Sequence, residues 1–179
     1  MHAKSARYLA TRRSEYESLA LDTNSEWCSA LCKGSPSKAE QIAEALSSEN
    51  SANEDYTTLI HGDVKSENLF STADGSSVAF FDFQYVGLGL GVCDLAKLFT
   101  CSVPETMLPP SKTMAAEEEK LLRYYHGKLE LVPGKKYPWQ TFMRHWETAL
   151  LDWLRFQASW GFWGNTEWLE ERCRGILEV

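Results

Sequence analysis

A chain of 179 residues that is 44% hydrophobic and 24% charged can bury one substantial core, and its length leaves no room for a second folded domain. A net charge of −7 excludes the basic surface that nucleic acid or an anionic membrane would attract. No apolar run reaches the about 18 residues of a spanning helix, and the polar start Met1-His2-Ala3-Lys4 is no signal peptide, so the expected location is cytoplasmic.

The first stretch reads as helical. Tyr8-Leu9, Tyr16 and Leu19-Ala20 recur at helical spacing. Ser35-Pro36 predicts the start of a second helix through Ala39, Ile42, Ala43 and Leu46, with proline at the favoured first position. Residues 1–55 form a helical lead-in on this reading. Tyr56-Thr57-Thr58-Leu59-Ile60 then predicts a short strand that feeds a loop.

That loop, His61-Gly62-Asp63-Val64-Lys65-Ser66-Glu67-Asn68, is followed by Asp82-Phe83-Gln84. An Asp, a Lys, an Asn and a second Asp in this order suit phosphoryl transfer from Mg-ATP. Such transfer needs a carboxylate to orient the attacking hydroxyl and oxygen ligands to hold magnesium on the phosphates. Asp63 and Asn68 are too close in sequence for a long helix to intervene, so a short loop aims both into one site. Beyond Asn68, two apolar runs flank Asp74-Gly75, a strong hairpin signal. Pairing about that turn sets Asn68 opposite Phe81 or Asp82, one residue of register apart. Opposed residues lie about 5 Å apart at Cβ, so Asn68 and Asp82 can share one ion.

Gly87-Leu88-Gly89-Leu90-Gly91 lacks the spacing of a phosphate-binding loop and is read as a flexible turn. Asp94, before Leu95-Ala96-Lys97-Leu98-Phe99, reads as the N-cap of the next helix. Residues 56–100 therefore hold the loop, the hairpin and this helix.

Residues 101–179 read as a helical subdomain on the acceptor side. A loop from Val103-Pro104 to Pro109-Pro110 precedes a helix over Ala115 to Lys128, with Glu117-Glu118-Glu119 at its positive end. Pro133-Gly134 marks a break, and Pro138 opens a helix carrying Trp139, Trp146, Trp153 and Trp160 at seven-residue spacing. Two readings stay open for these indoles: core packing, or an aromatic wall beside the acceptor. Glu147, Asp152, Glu167, Glu170 and Glu171 nearby would suit a cationic alcohol under the second reading.

The stretch from His61 to Asp82 resembles the catalytic loop and metal segment of the aminoglycoside phosphotransferase and choline kinase-like families, distant relatives of protein kinases. Fungal and algal phosphotransferase-family proteins are the nearest likeness, from about Ile60 to the C-terminus. The resemblance implies Asp63 as catalytic base, His61 as brace of the loop, and Asn68 and Asp82 as Mg2+ ligands under ATP. It sets Lys65 against the transferring phosphate. Asp94, in Gly91-Val92-Cys93-Asp94-Leu95-Ala96, would support the loop. Gln84 stands where protein kinases have glycine, and Asp-Phe-Gln is at home among small-molecule kinases. In kinase-like enzymes a glycine-rich loop and a strand lysine grip the nucleotide from a separate upstream lobe. The first sixty residues hold one glycine, Gly34, and read as helical.

The expected fold is thus mostly α with a small β-hairpin (α+β): the C-terminal lobe of a protein kinase-like fold, 1–179 as one unit, without the N-terminal nucleotide lobe. The expected function is ATP-dependent phosphate transfer to a hydroxyl of a small molecule. The alternative is an inactive or truncated kinase-like lobe that serves as a binding or regulatory module. A metal-dependent phosphohydrolase on His61, Asp63 and Asp82 is a weaker third, since two-metal sites need more ligands. Cys28, Cys32, Cys93, Cys101 and Cys173 are odd in number and form no Cys-x-x-Cys, which fits reduced thiols rather than zinc. The acceptor, ATP versus GTP and the oligomeric state are not written in the sequence.

Overall fold

The computed structural model describes Leu9 and residues 12–132 and 136–178. Tyr8 and the break expected at Pro133-Gly134 lie outside the described residues. The chain runs α1 (Arg13–Leu21), α2 (Glu26–Leu31), α3 (Lys38–Ala45), β1 (Thr57–Ile60), β2 (Leu69–Ser71), β3 (Val78–Phe80), β4 (Gly87–Leu90), α4 (Val92–Ser102), α5 (Ala116–Leu129), α6 (Trp139–Trp160) and α7 (Thr166–Leu177). It is mostly helical, with two small antiparallel ribbons, β1–β4 and β2–β3. None of the described helices is long and apolar enough to cross a membrane.

The organising element is α6. Its 22 residues span about 33 Å, and α1, α3, α4 and α7 all pack against it. Phe142, Trp146, Leu150, Trp153 and Leu154 are buried along its length, because their spacing keeps them on one slowly drifting face. Phe99 of α4 meets the Trp146 ring edge-on at 5.0 Å, and Trp168 of α7 closes the same cluster. Trp160 departs from the stripe at the helix end and is 57% exposed.

A buried carboxylate reconciles the indoles with this core. Glu118 of α5 accepts from Trp146 Nε1 at 3.0 Å, Trp168 Nε1 at 3.3 Å and Arg172 Nε at 3.0 Å. Arg172 in turn donates to the carbonyl of Lys112. The charge is paired and its acceptor sites are filled, which is what makes full burial tolerable.

Two sequence expectations are corrected, and one helix is added within the helical lead-in. The helix expected from Ser35-Pro36 begins at Lys38 instead, because Ser37 builds a capping box with Glu40 and Pro36 lies outside it. Residues 26–31 form an extra short helix, α2, whose Trp27 donates to Glu170 of α7 across the chain. Residues 87–90 are not a flexible turn but strand β4, paired with β1 in the register Thr58↔Gly89 and Leu59↔Leu88. A Cβ at Gly89 would come within 2.7 Å of Ile60 Cδ1, so a larger residue there would have to push the Ile60 side chain aside. Gly87, Gly89 and Leu90 are buried and Leu88 is exposed, so the strand lacks the apolar-in, polar-out alternation that marks a half-buried strand in sequence.

Candidate active site

Strand β1 delivers the chain into the loop, and β4 leads directly into α4, so the ribbon brings residues 61–63 against the first turn of α4. Here Asp94 is corrected: it does not cap its helix, whose N-cap is Gly91. Its carboxylate instead accepts the backbone N–H of His61 at 2.8 Å and of Gly62 at 2.9 Å. Gly62 has φ +81°, and a Cβ on it would meet the carbonyl oxygen of Tyr85 at 2.3 Å. Only glycine fits both the backbone conformation and that approach.

His61 spans the loop and the hairpin. Its Nδ1 accepts the Asp63 N–H at 3.3 Å, which leaves the proton on Nε2 to donate to the Phe81 carbonyl at 2.9 Å. Phe80 and Phe83 flank the ring. The imidazole therefore ties residue 63 to the segment just past β3 that carries the second Asp.

Asp63 is 6% exposed. Asn68 Nδ2 donates to its Oδ2 at 2.8 Å and to its backbone carbonyl at 2.9 Å. Lys65 Nζ stands 3.8 Å from the same Oδ2. The other oxygen, Oδ1, pairs with Lys97 Nζ of α4. The ammonium of Lys97 also lies 5.2 Å from the Trp153 ring centroid. Sequence reasoning missed Lys97, although a lysine three residues past Asp94 in an otherwise apolar helix was a signal. It also missed Ser102, whose hydroxyl accepts the Ser66 N–H at 2.7 Å and anchors the far end of the loop.

The hairpin takes the first of its two expected registers. Leu69 pairs with Phe80, and the Phe81 N–H donates to the Asn68 carbonyl at 3.2 Å, so Asn68 faces Phe81. The turn is fixed by Asp74. Its carboxyl is held down to about 2, first by the Thr72 hydroxyl and then by the backbone and hydroxyl of Ser76. Asp82 is the next residue past Phe81, in a left-handed conformation with φ 62°. Among the described residues it is the one non-glycine with positive φ. Such backbone costs about 1–3 kcal/mol and concentrates at sites of function. Asp82 is exposed, and its Oδ2 accepts Gln84 Nε2 at 3.2 Å. The fold thus gathers Asp63, Lys65 and Asn68 in direct contact. Asp82 joins them through backbone pairing rather than a side-chain bond.

The residues fit magnesium. Asn68 spends its amide N–H groups on Asp63, which leaves Oδ1 for a cation, and Asp82 is an exposed carboxylate one position along. An amide oxygen and a carboxylate are hard donors that suit Mg2+, whose remaining positions are filled by phosphate and water. Among the described residues no cluster of three or more His, Cys, Asp or Glu could hold a metal on its own.

Beside the loop lies a cavity of about 510 Å3, walled by Tyr56, Leu59, Ile60, Leu95 and Tyr125 and reached by Asp94. The indoles are otherwise engaged: the Trp153 face holds Lys97, and the exposed Trp160 face holds the Arg12 guanidinium at 4.6 Å.

Among protein-family models, that of the ecdysteroid kinase-like family matches residues 3–133. The chain belongs to this family, a branch of the protein kinase-like superfamily. The match begins far upstream of Ile60, so it takes in α1–α3 as well as the loop, the hairpin, α4 and α5. No match was found among curated proteins or among solved structures. Family membership implies a kinase-like phosphotransferase and the use of ATP and Mg2+ in general.

Proposed function

We propose that this chain carries the catalytic loop of an ATP-dependent phosphotransferase acting on a hydroxyl of a small molecule. The observation that supports this most is the Asp63–Asn68 contact beside a left-handed Asp82, held by a three-residue pairing of the hairpin. In this reading a bond forms between the acceptor oxygen and the γ-phosphorus while the bond to the β–γ bridging oxygen breaks. Asp63 orients the acceptor hydroxyl and receives or passes on its proton. Lys65 offsets charge on the transferring group. Asn68 and Asp82 would hold Mg2+, which supplies charge neutralisation on the phosphates when bound. His61 and Asp94 keep the loop in place.

The family name points to an ecdysteroid alcohol in some members, and the apolar walls of the 510 Å3 cavity suit the body of an apolar alcohol. The cationic acceptor expected from the tryptophans gains no support, because the faces of Trp153 and Trp160 carry the chain's own cations. A second reading is a kinase-like lobe that binds or regulates without catalysis.

The test is melting with and without Mg-ATP for the wild type and Asp82→Ala, followed by γ-phosphate transfer for Asp63→Asn. Binding at a hundred times Kd adds about 2.7 kcal/mol of stability. A magnesium-dependent shift absent in Asp82→Ala, with transfer abolished and nucleotide binding kept in Asp63→Asn, supports the enzyme. Transfer that survives Asp63→Asn refutes Asp63 as the catalytic carboxylate, and a shift without any transfer favours the regulatory lobe.

A further inference from the structure

The mechanism above leaves a buried charged group beside Asp63 without a task. Lys97 is 8% exposed, on the helix that also supplies Asp94, and its ammonium reaches Oδ1 of Asp63. A lysine is rarely buried unless paired, and a long flexible side chain loses much rotamer freedom when fixed. Here both losses are accepted to place one cation on one oxygen of one carboxylate. We propose that Lys97 is a positioning residue: its ammonium, backed by the Trp153 ring, clamps Oδ1 of Asp63 so that the carboxylate presents a single fixed edge to the acceptor.

This rests on the phosphotransferase reading, and it assigns something that reading does not need. The carboxylate is held from both sides by different elements. Asn68, from the loop, takes Oδ2, and Lys97, from α4, takes Oδ1. Rotation about the Cβ–Cγ bond would break both bonds at once. Each carboxylate oxygen keeps a second acceptor site, so the clamp leaves room for a hydroxyl. It also makes Asp63 a better orienter than base, which matches a transfer that depends mainly on positioning and electrostatics. The two lysines have separable parts. Lys65 is loop-borne and about a third exposed at 3.8 Å from Oδ2, open to a phosphate. Lys97 faces inward and has Trp153 behind it. Asp94, one turn away on α4, already serves the His61 and Gly62 amides, so the same helix fixes both the backbone and the side chain of the loop.

The test uses the full chain with Mg-ATP and water as the acceptor, so that no organic substrate has to be known. Wild type, Lys97→Met, Lys97→Arg, Asp63→Asn and the double variant Asp63→Asn/Lys97→Met are compared in melting and in slow ATP hydrolysis. Expected is a fall in kcat of at least about tenfold for Lys97→Met with KM for ATP within about twofold, and recovery of most of that loss in Lys97→Arg. Expected also are non-additive effects on melting in the double variant, since the two side chains touch. Additive melting effects overturn the clamp whatever the activity, as does wild-type kcat in Lys97→Met. A fold-wide role for Lys97 would instead raise KM along with lowering kcat, and would leave Lys97→Arg unrescued; that result overturns the proposal too. Hydrolysis unaffected by Asp63→Asn removes the phosphotransferase reading and with it the positioning role, while coupled melting would still establish the pair.

Discussion

Asp94 of α4 reaches across 33 residues of sequence to accept the backbone N–H of His61, and its second oxygen takes that of Gly62. One carboxylate thereby determines where the loop leaves β1, and the side chains of Asp63 and Asn68 follow from it. Hydrogen bonds to a charged acceptor contribute about 1.5–3 kcal/mol each. Asp94→Ala should cost about 2–4 kcal/mol in denaturant unfolding and expose the His61 and Gly62 amides to hydrogen exchange. Asp94→Asn keeps one acceptor oxygen and should lose less. Unchanged exchange at those two amides in Asp94→Ala would sink the bracing role.

Gly62→Ala should destabilise the protein by about 2 kcal/mol or more, combining a left-handed backbone with a clash against Tyr85. Gly75 is the matched control. Its φ is also positive, but nothing lies within 4 Å of a Cβ there, so Gly75→Ala should cost only about 1 kcal/mol. Chemical denaturation of the two variants side by side reads the difference directly.

Removing Glu118 strands a buried guanidinium. Arg172 is 3% exposed and donates to Glu118 and to the Lys112 carbonyl. Glu118→Ala should cost about 3–5 kcal/mol, the typical penalty for breaking a buried pair on one side. Trp146→Leu should also be costly, while Trp160→Leu, at an exposed helix end, should stay within about 1 kcal/mol. Equal melting losses for the two tryptophans would contradict this division.

Stability should decline in mild acid through His145. Burial, followed by the nearby charge of Arg144, pushes its imidazole below the usual value near 6.5. Its Nδ1 accepts the Tyr137 hydroxyl at 2.5 Å, a bond that protonation breaks. The unfolded chain binds a proton below about 6.5 and the folded one only at lower pH, so stability falls as pH drops through that interval. His145→Gln should flatten the melting profile between about pH 7 and the lower folded value. A profile identical to the wild type would rule His145 out as its source.

The sequence showed the site in outline because its parts lie close along the chain. Asp63, Lys65 and Asn68 share one loop, and the Asp74-Gly75 turn leaves two registers, of which the structure takes the one with Asn68 facing Phe81. The long Trp helix was equally legible, since a seven-residue period needs no partner to be seen. Strand β4 was not, because two of its three buried positions are glycine and its exposed position is Leu88, which hides the apolar-in, polar-out pattern. The start of α3 was misjudged by two residues because Ser37 and Glu40 make a better cap than Ser35-Pro36.

By itself the sequence determined which chemical groups enter the loop and the hairpin. It also determined that the rest is helical and that the last long helix has an apolar face. Those properties depend on neighbours a few residues away, where backbone geometry fixes distance. Only the tertiary structure decided what holds the loop. Asp94 and Lys97 are separated from their partners by 32 to 34 residues, and they meet only because the β1–β4 ribbon returns the chain to α4. It also decided that Trp153 faces a lysine and that Glu118 sits beneath two indoles. Such contacts depend on how α4, α5 and α7 stack on α6, and packing between distant elements leaves no periodic trace in the residues that make it.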